Sequence, residues 1–149
     1  MNNKPKFYWD EVSHTATCVL TDGEKKYEGV AICHPDDYDM ESEKTGCEIA
    51  FKRAKISALR GYRDELKIRL KTLNQFYSTI NQSKRFNENA YENKMLRRQI
   101  RLINFDLDTI NEMIDSEYKS LLAYTHEKND FYNKVRQQRK IKEYQANNN

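Results

Sequence analysis

IAFKRAKISALRGYRDELKIRLKTLNQFYSTI, residues 49–80, decides the fold. With Ile49 at position a of a heptad, the a positions are Ile49, Ile56, Arg63, Leu70 and Tyr77, and the d positions are Lys52, Leu59, Leu66, Leu73 and Ile80. Eight of these ten are apolar over five heptads, which is the repeat of a long helix of coiled-coil type. Gly61 lies off the seam and costs about 1 kcal/mol relative to alanine. The stripe stops after Ile80, and the polar run 81–89 reads as a loop. A second stripe follows at Leu96, Ile100, Ile103, Leu107, Ile110, Ile114, Glu117 and Leu121, continuing less cleanly to Tyr124, Phe131 and Val135. Two long stripes joined by a short loop predict an antiparallel helical hairpin, with helices over 45–81 and 88–143.

Folding about the loop centre brings Lys52 within about one layer of Glu117, and Arg63 level with Asp106 to Ile110. Lys52 and Glu117 are polar breaks in the two seams, so their pairing is expected to fix register. The second helix outlasts the first, and its overhang, Lys128 to Tyr144, must pack on the N-terminal strands or on another subunit. The second choice is preferred here.

Upstream, His14–Thr21 and Tyr27–His34 flank Asp22-Gly23, a hairpin signal of uncertain register. Phe7, Tyr8 and Trp9 form an aromatic anchor. Pro35 stops strand pairing, and 36–44 is an acidic connection. Thr45 with Glu48 has the spacing of a capping box, with Asp39 and Ser42 as earlier starting points. The expected fold is therefore α+β and mostly helical: an N-terminal β-hairpin or small antiparallel sheet over 7–35, then the long two-helix hairpin. It forms a single domain over 1–149, with 1–6 and 146–149 disordered.

Composition agrees with this reading. Of 149 residues, 38% are hydrophobic and 33% charged, and the mean hydropathy is −1.02. That is little apolar surface for one compact core, so a homodimer or higher homo-oligomer is expected. Cys18, Cys33 and Cys47 make an odd set without a C-x-x-C pair, as in a reducing cytoplasm. No apolar run has transmembrane length, and Met1 to Lys6 has no signal-peptide core.

A net charge of +3 is too small to argue for nucleic acid, but its distribution is informative. Residues 52–71 are basic, Lys94, Arg97, Arg98 and Arg101 form a second basic cluster, and Asp106 to Glu117 is acidic. Arg97 and Arg101 stand one turn apart on one face, with Arg98 adjacent. Guanidinium groups grip phosphate bidentately. Phe86 can stack on a base, and Asn87 can bond its edge. Arginine, ring and amide together suit a phosphorylated adenine ligand; the plainer account of the arginines is solvated helix surface or pairing with a partner's carboxylates. His14, Cys18, Cys33, His34 and Cys47 lack a metal-ligand spacing, and Asp36 and Asp37 read as turn residues. There is no Gly-rich phosphate loop and no nucleophile signature, so the chain reads as a binding protein without cofactors rather than an enzyme. A double-stranded RNA reader is disfavoured because the start of the first helix is acidic.

The strings Gly29-Val30-Ala31-Ile32-Cys33-His34-Pro35-Asp36-Asp37, Ser42-Glu43-Lys44-Thr45-Gly46, Ala50 and Arg53-Ala54 resemble a group of small Firmicutes phage proteins. So do Ser83-Lys84-Arg85-Phe86-Asn87 and Leu96-Arg97-Arg98-Gln99-Ile100. By function the group is similar to the first type of Thoeris anti-defence sponge of phages, over roughly residues 12–136. The resemblance implies a small sheet with two long helices, assembled as dimers or higher oligomers in the bacterial host cytoplasm. It implies sequestration, without cleavage, of the cyclic ADP-ribose isomer that signals in Thoeris immunity, and extends to cyclic oligonucleotides. Its site would lie between subunits, with Phe86 and Asn87 at the base, Arg97, Arg98 and Arg101 at phosphates, and Arg53 as a further phosphate contact. Two other readings remain open from the residues: a helical, anti-CRISPR-like or other protein-binding inhibitor, and a nucleic-acid-binding accessory protein.

Overall fold

A computed structural model describes residues 4–82 and 90–147. Three antiparallel strands in the order β1-β2-β3 form the N-terminal sheet: β1 (Lys6–Asp10), β2 (Thr15–Asp22) and β3 (Lys25–Ile32). A 3-10 turn (Pro35–Met40) leads into α1 (Glu43–Asn81), and α2 (Ala90–Asn147) completes the helical hairpin. The aromatic anchor is thus itself a strand: Phe7 pairs with Cys18 and Trp9 with Ala16. Asp22 pairs with Lys25, which fixes the β2–β3 loop at two residues, and Gly23 takes the left-handed φ of 61° that such a loop requires. His34 caps the 3-10 turn through its ring, which accepts from Asp36 N at 3.3 Å.

Ser42, one of the two earlier starts expected, caps α1. Its Oγ accepts from Thr45 N at 3.2 Å and its carbonyl from Gly46 N at 2.9 Å. α2 runs to Asn147, so Ala146 continues the helix rather than fraying.

Contacts divide the chain into two compact units, Met1–Ser57 with Glu117–Asn149, and Ala58–Ser116. The core of the first unit is a meeting of small side chains: Ala16, Cys18 and Ala31 from the sheet against Ala50 and Ala54 of α1. Trp9, Leu20, Cys47, Ile49 and Phe51 close around them. In the second unit Leu96, Ile103, Leu107 and Ile114 are buried on α2. All ten predicted seam positions of α1 are buried or half-buried. The stripe of α2 holds to Tyr124, but Phe131 is 58% exposed and Tyr132 takes the inward place, because the four-and-three spacing from Leu121 and Thr125 leads to Lys128 and then 132.

Glu117 finds a lysine one turn from the expected one. Lys55 Nζ lies 2.9 Å from Glu117 Oε1, while Lys52 Nζ lies 2.9 Å from Ser120 Oγ and 3.7 Å from Glu48. A small displacement of the fold point is doubled in register, because it lengthens one arm and shortens the other. Arg63 pairs with neighbouring Asp64 at 3.4 Å. Both Lys55 and Glu117 are half-buried, so a double-mutant cycle with Lys55→Met and Glu117→Gln should return a coupling of about 1 kcal/mol in denaturant titrations. A coupling of zero would mean that the pair contributes nothing to register.

The overhang of α2 packs on its own chain, contrary to the preference for another subunit. Arg136 is bonded to Asp37 and Arg139 to Asp39, so the basic end of α2 docks on the acidic 3-10 turn. Opposite charge at both ends of this contact was available in the sequence, and a second subunit is not needed to satisfy it.

The three thiols are free, and burial raises the pKa of each. Less thiolate at neutral pH means slow chemistry. A thiol-reactive dye should label the native chain slowly at pH 7, fastest at half-buried Cys33 or Cys47 and last at Cys18, with rates rising as pH climbs. Rapid labelling of Cys18 at pH 7 would contradict its place in the core.

Candidate functional site

The first three turns of α2 carry a cation cluster. Positions 94, 97, 98 and 101 follow helical spacing, so Lys94, Arg97, Arg98 and Arg101 crowd one side of the helix. Together with Tyr91 and Met95 they line a recess of about 740 Å³ within the second unit. All four cations are exposed. Arg97 lies over the Tyr77 ring of α1, with its guanidinium carbon 5.8 Å from the centroid. That contact holds the guanidinium beside a flat ring while leaving its N–H fork open.

Among the described residues, no carboxylate pairs with Lys94, Arg98 or Arg101. Three arginines elsewhere are paired with carboxylates: Arg63 with Asp64, Arg136 with Asp37, Arg139 with Asp39. Four adjacent like charges repel one another, and an anion placed among them would relieve that repulsion.

The structure brings Arg97, Arg98 and Arg101 together and puts Arg53 elsewhere. Arg53 belongs to the first unit, where its Nη1 donates to the Val30 carbonyl and its side chain lines a different recess. Phe86 and Asn87 lie outside the described residues. Sequence reasoning missed Tyr91, which is 75% exposed at the rim of the cation recess, and read Tyr77 as a seam residue only. The spacing from Tyr91 to Lys94 and Arg98 was the signal that would have found the first.

No group of three or more His, Cys, Asp or Glu among the described residues could hold a metal ion. No described helix is long and apolar enough to cross a membrane. No protein-family model, curated protein or solved structure matches the chain.

Proposed function

We propose that this protein is a phage counter-defence protein that binds and sequesters a cyclic nucleotide immune signal, the cyclic ADP-ribose isomer of Thoeris immunity, without cleaving it, in the host cytoplasm. The observation that carries this reading is the recess with three cations free of carboxylate partners among the described residues, bordered by Tyr91 and by Arg97 over the Tyr77 ring. Guanidinium forks suit the diphosphate, and the exposed Tyr91 ring suits the base. Phe86 and Asn87 complete the base contacts in this reading. Arg53 belongs to the other unit and stays, in this reading, a further phosphate contact. Cyclic oligonucleotides share the same chemistry. The resemblance of the strings around Gly29–Asp37 and Leu96–Ile100 supports the choice of signal.

Capture without turnover is tested by incubating the protein with the cyclic ADP-ribose isomer, removing free ligand, and heating to release what is bound. Intact ligand recovered in stoichiometric amount is the expected result. Recovery of a hydrolysed product, or no retention of any cyclic nucleotide, would remove the proposal.

The proposal includes a second copy of the chain as partner. Tyr91, Met95, Leu102, Phe105 and Met113 share one exposed face of α2 that runs on from the cation recess, so a second copy seated there would also wall the site. Phe105, 69% exposed, should therefore be replaceable by Asp without loss of helicity but with loss of the dimer. Sedimentation velocity reads this directly, and an unchanged mass for Phe105→Asp would place the contact elsewhere.

A further inference from the structure

The first unit contains a recess of its own, about 360 Å³ in volume, where the sheet, the 3-10 turn, α1 and α2 converge. That is within the range of small-ligand sites. Its apolar walls are Trp9, Ala31 and Ile49, and α2 adds the Tyr132 ring. Two cations reach it from different helices, Arg53 and Lys128. The carboxylates that line it are already engaged, Glu41 by His14 and Asp37 by Arg136. The balance left over is positive.

The cations are held in place. Arg53 spends one N–H on the Val30 carbonyl, which anchors the guanidinium and leaves its other donors open. Lys128 Nζ sits 5.2 Å from the Tyr124 centroid. His14, which also lines the recess, ends the β1–β2 turn with a φ of 51°. Its ring stacks on Tyr38 at 3.6 Å and 17° and is bonded to Glu41. An adjoining recess of about 380 Å³ shares His34, Asp37, Asn129 and Tyr132 with the first, which gives a bound molecule room to extend.

We infer that this recess is a second binding site, for a small organic anion that joins a phosphate or carboxylate to a flat apolar body, the anion meeting Arg53 and Lys128 and the flat body lying against Trp9 and Tyr132. It is independent of the arginine recess on α2.

Trp9 is the only tryptophan in the chain and lines this recess, so its emission reports on this site and not on the other. The full-length protein is titrated with phenyl phosphate, with benzoate and with inorganic phosphate. A saturable change in Trp9 emission with phenyl phosphate or benzoate is expected, with inorganic phosphate at least ~10-fold weaker. The tighter of the two ring-bearing anions identifies the charged group. Lys128→Gln and Arg53→Gln should each weaken binding by ~10-fold or more, and Arg97→Gln should leave it unchanged. The inference is overturned if neither ring-bearing anion gives a saturable change, if inorganic phosphate matches them, or if Lys128→Gln binds as tightly as the parent. Lys128→Gln decides should Arg53→Gln disturb the strand it anchors.

Discussion

Gly29→Ala should lower the stability of the first unit by about 3 kcal/mol or more and its melting temperature by roughly 10 °C. A Cβ at position 29 would stand 2.1 Å from Ala50 O, 2.3 Å from Ala54 N and 2.9 Å from Arg53 C. All three are backbone atoms of α1, and a helix backbone cannot swing aside as a side chain can. Strand β3 must lift from the helix, which opens the small-residue core of Ala16, Cys18, Ala31, Ala50 and Ala54. Gly46→Ala supplies the comparison. There the added Cβ meets Ala16 Cβ at 3.0 Å and Trp9 Cζ3 at 3.3 Å, side-chain atoms that can yield by a few tenths of an ångström. A smaller loss, about 1 kcal/mol, is expected for it. Thermal melts followed by circular dichroism and by Trp9 emission measure both. Equal losses for the two variants would mean that α1 does not approach β3 as closely as its backbone contacts require.

That close approach explains what could be read from the sequence and what could not. The heptad stripe from Ile49 to Ile80 exposed the hairpin plainly, because a seam of large apolar side chains repeats at a period that only a helix satisfies. A second buried face on the same helix was overlooked. Gly46, Ala50 and Ala54 recur every four residues and meet the sheet, but small residues carry little hydropathy and vanish in a pattern drawn from leucine and isoleucine. Strand β1 was hidden for a related reason: Lys6–Asp10 was recognised by its rings rather than by alternation, although Phe7 and Trp9 alternate with Tyr8 as a strand requires. The docking of α2 on the 3-10 turn rests on charge pairs between residues about a hundred positions apart, Asp37 with Arg136 and Asp39 with Arg139. Local spacing carries no sign of such pairs.

The arginine recess was legible for the opposite reason. Arg97, Arg98 and Arg101 are neighbours on one helix, so helical periodicity alone brings them together. Arg53 joins them in the sequence reading through the Arg53-Ala54 string of the resemblance and not through helical spacing. The structure gives it a backbone carbonyl to hold and a different recess to line.

Replacing both Arg97 and Arg101 with alanine should abolish capture of the cyclic ADP-ribose isomer while leaving helical content unchanged. Each side chain is exposed on α2, so neither supports the core, and alanine is the best helix former. Each guanidinium lost from a phosphate removes a charge-assisted contact of about 1.5–3 kcal/mol. Two such losses amount to about 3–6 kcal/mol, or roughly 10²–10⁴ in Kd, enough to turn stoichiometric retention into none. Arg97→Lys separates charge from shape. It keeps the cation but loses the fork and the flat contact with Tyr77, and should weaken capture by about 10-fold. Raising salt should weaken the parent's binding as well, since these charges stand in solvent until the ligand covers them. Calorimetry with the purified ligand reads all three effects. Stoichiometric capture by the doubly substituted protein would show that Arg97 and Arg101 are solvated surface, and the search for the signal's site would move to the recess beside Trp9.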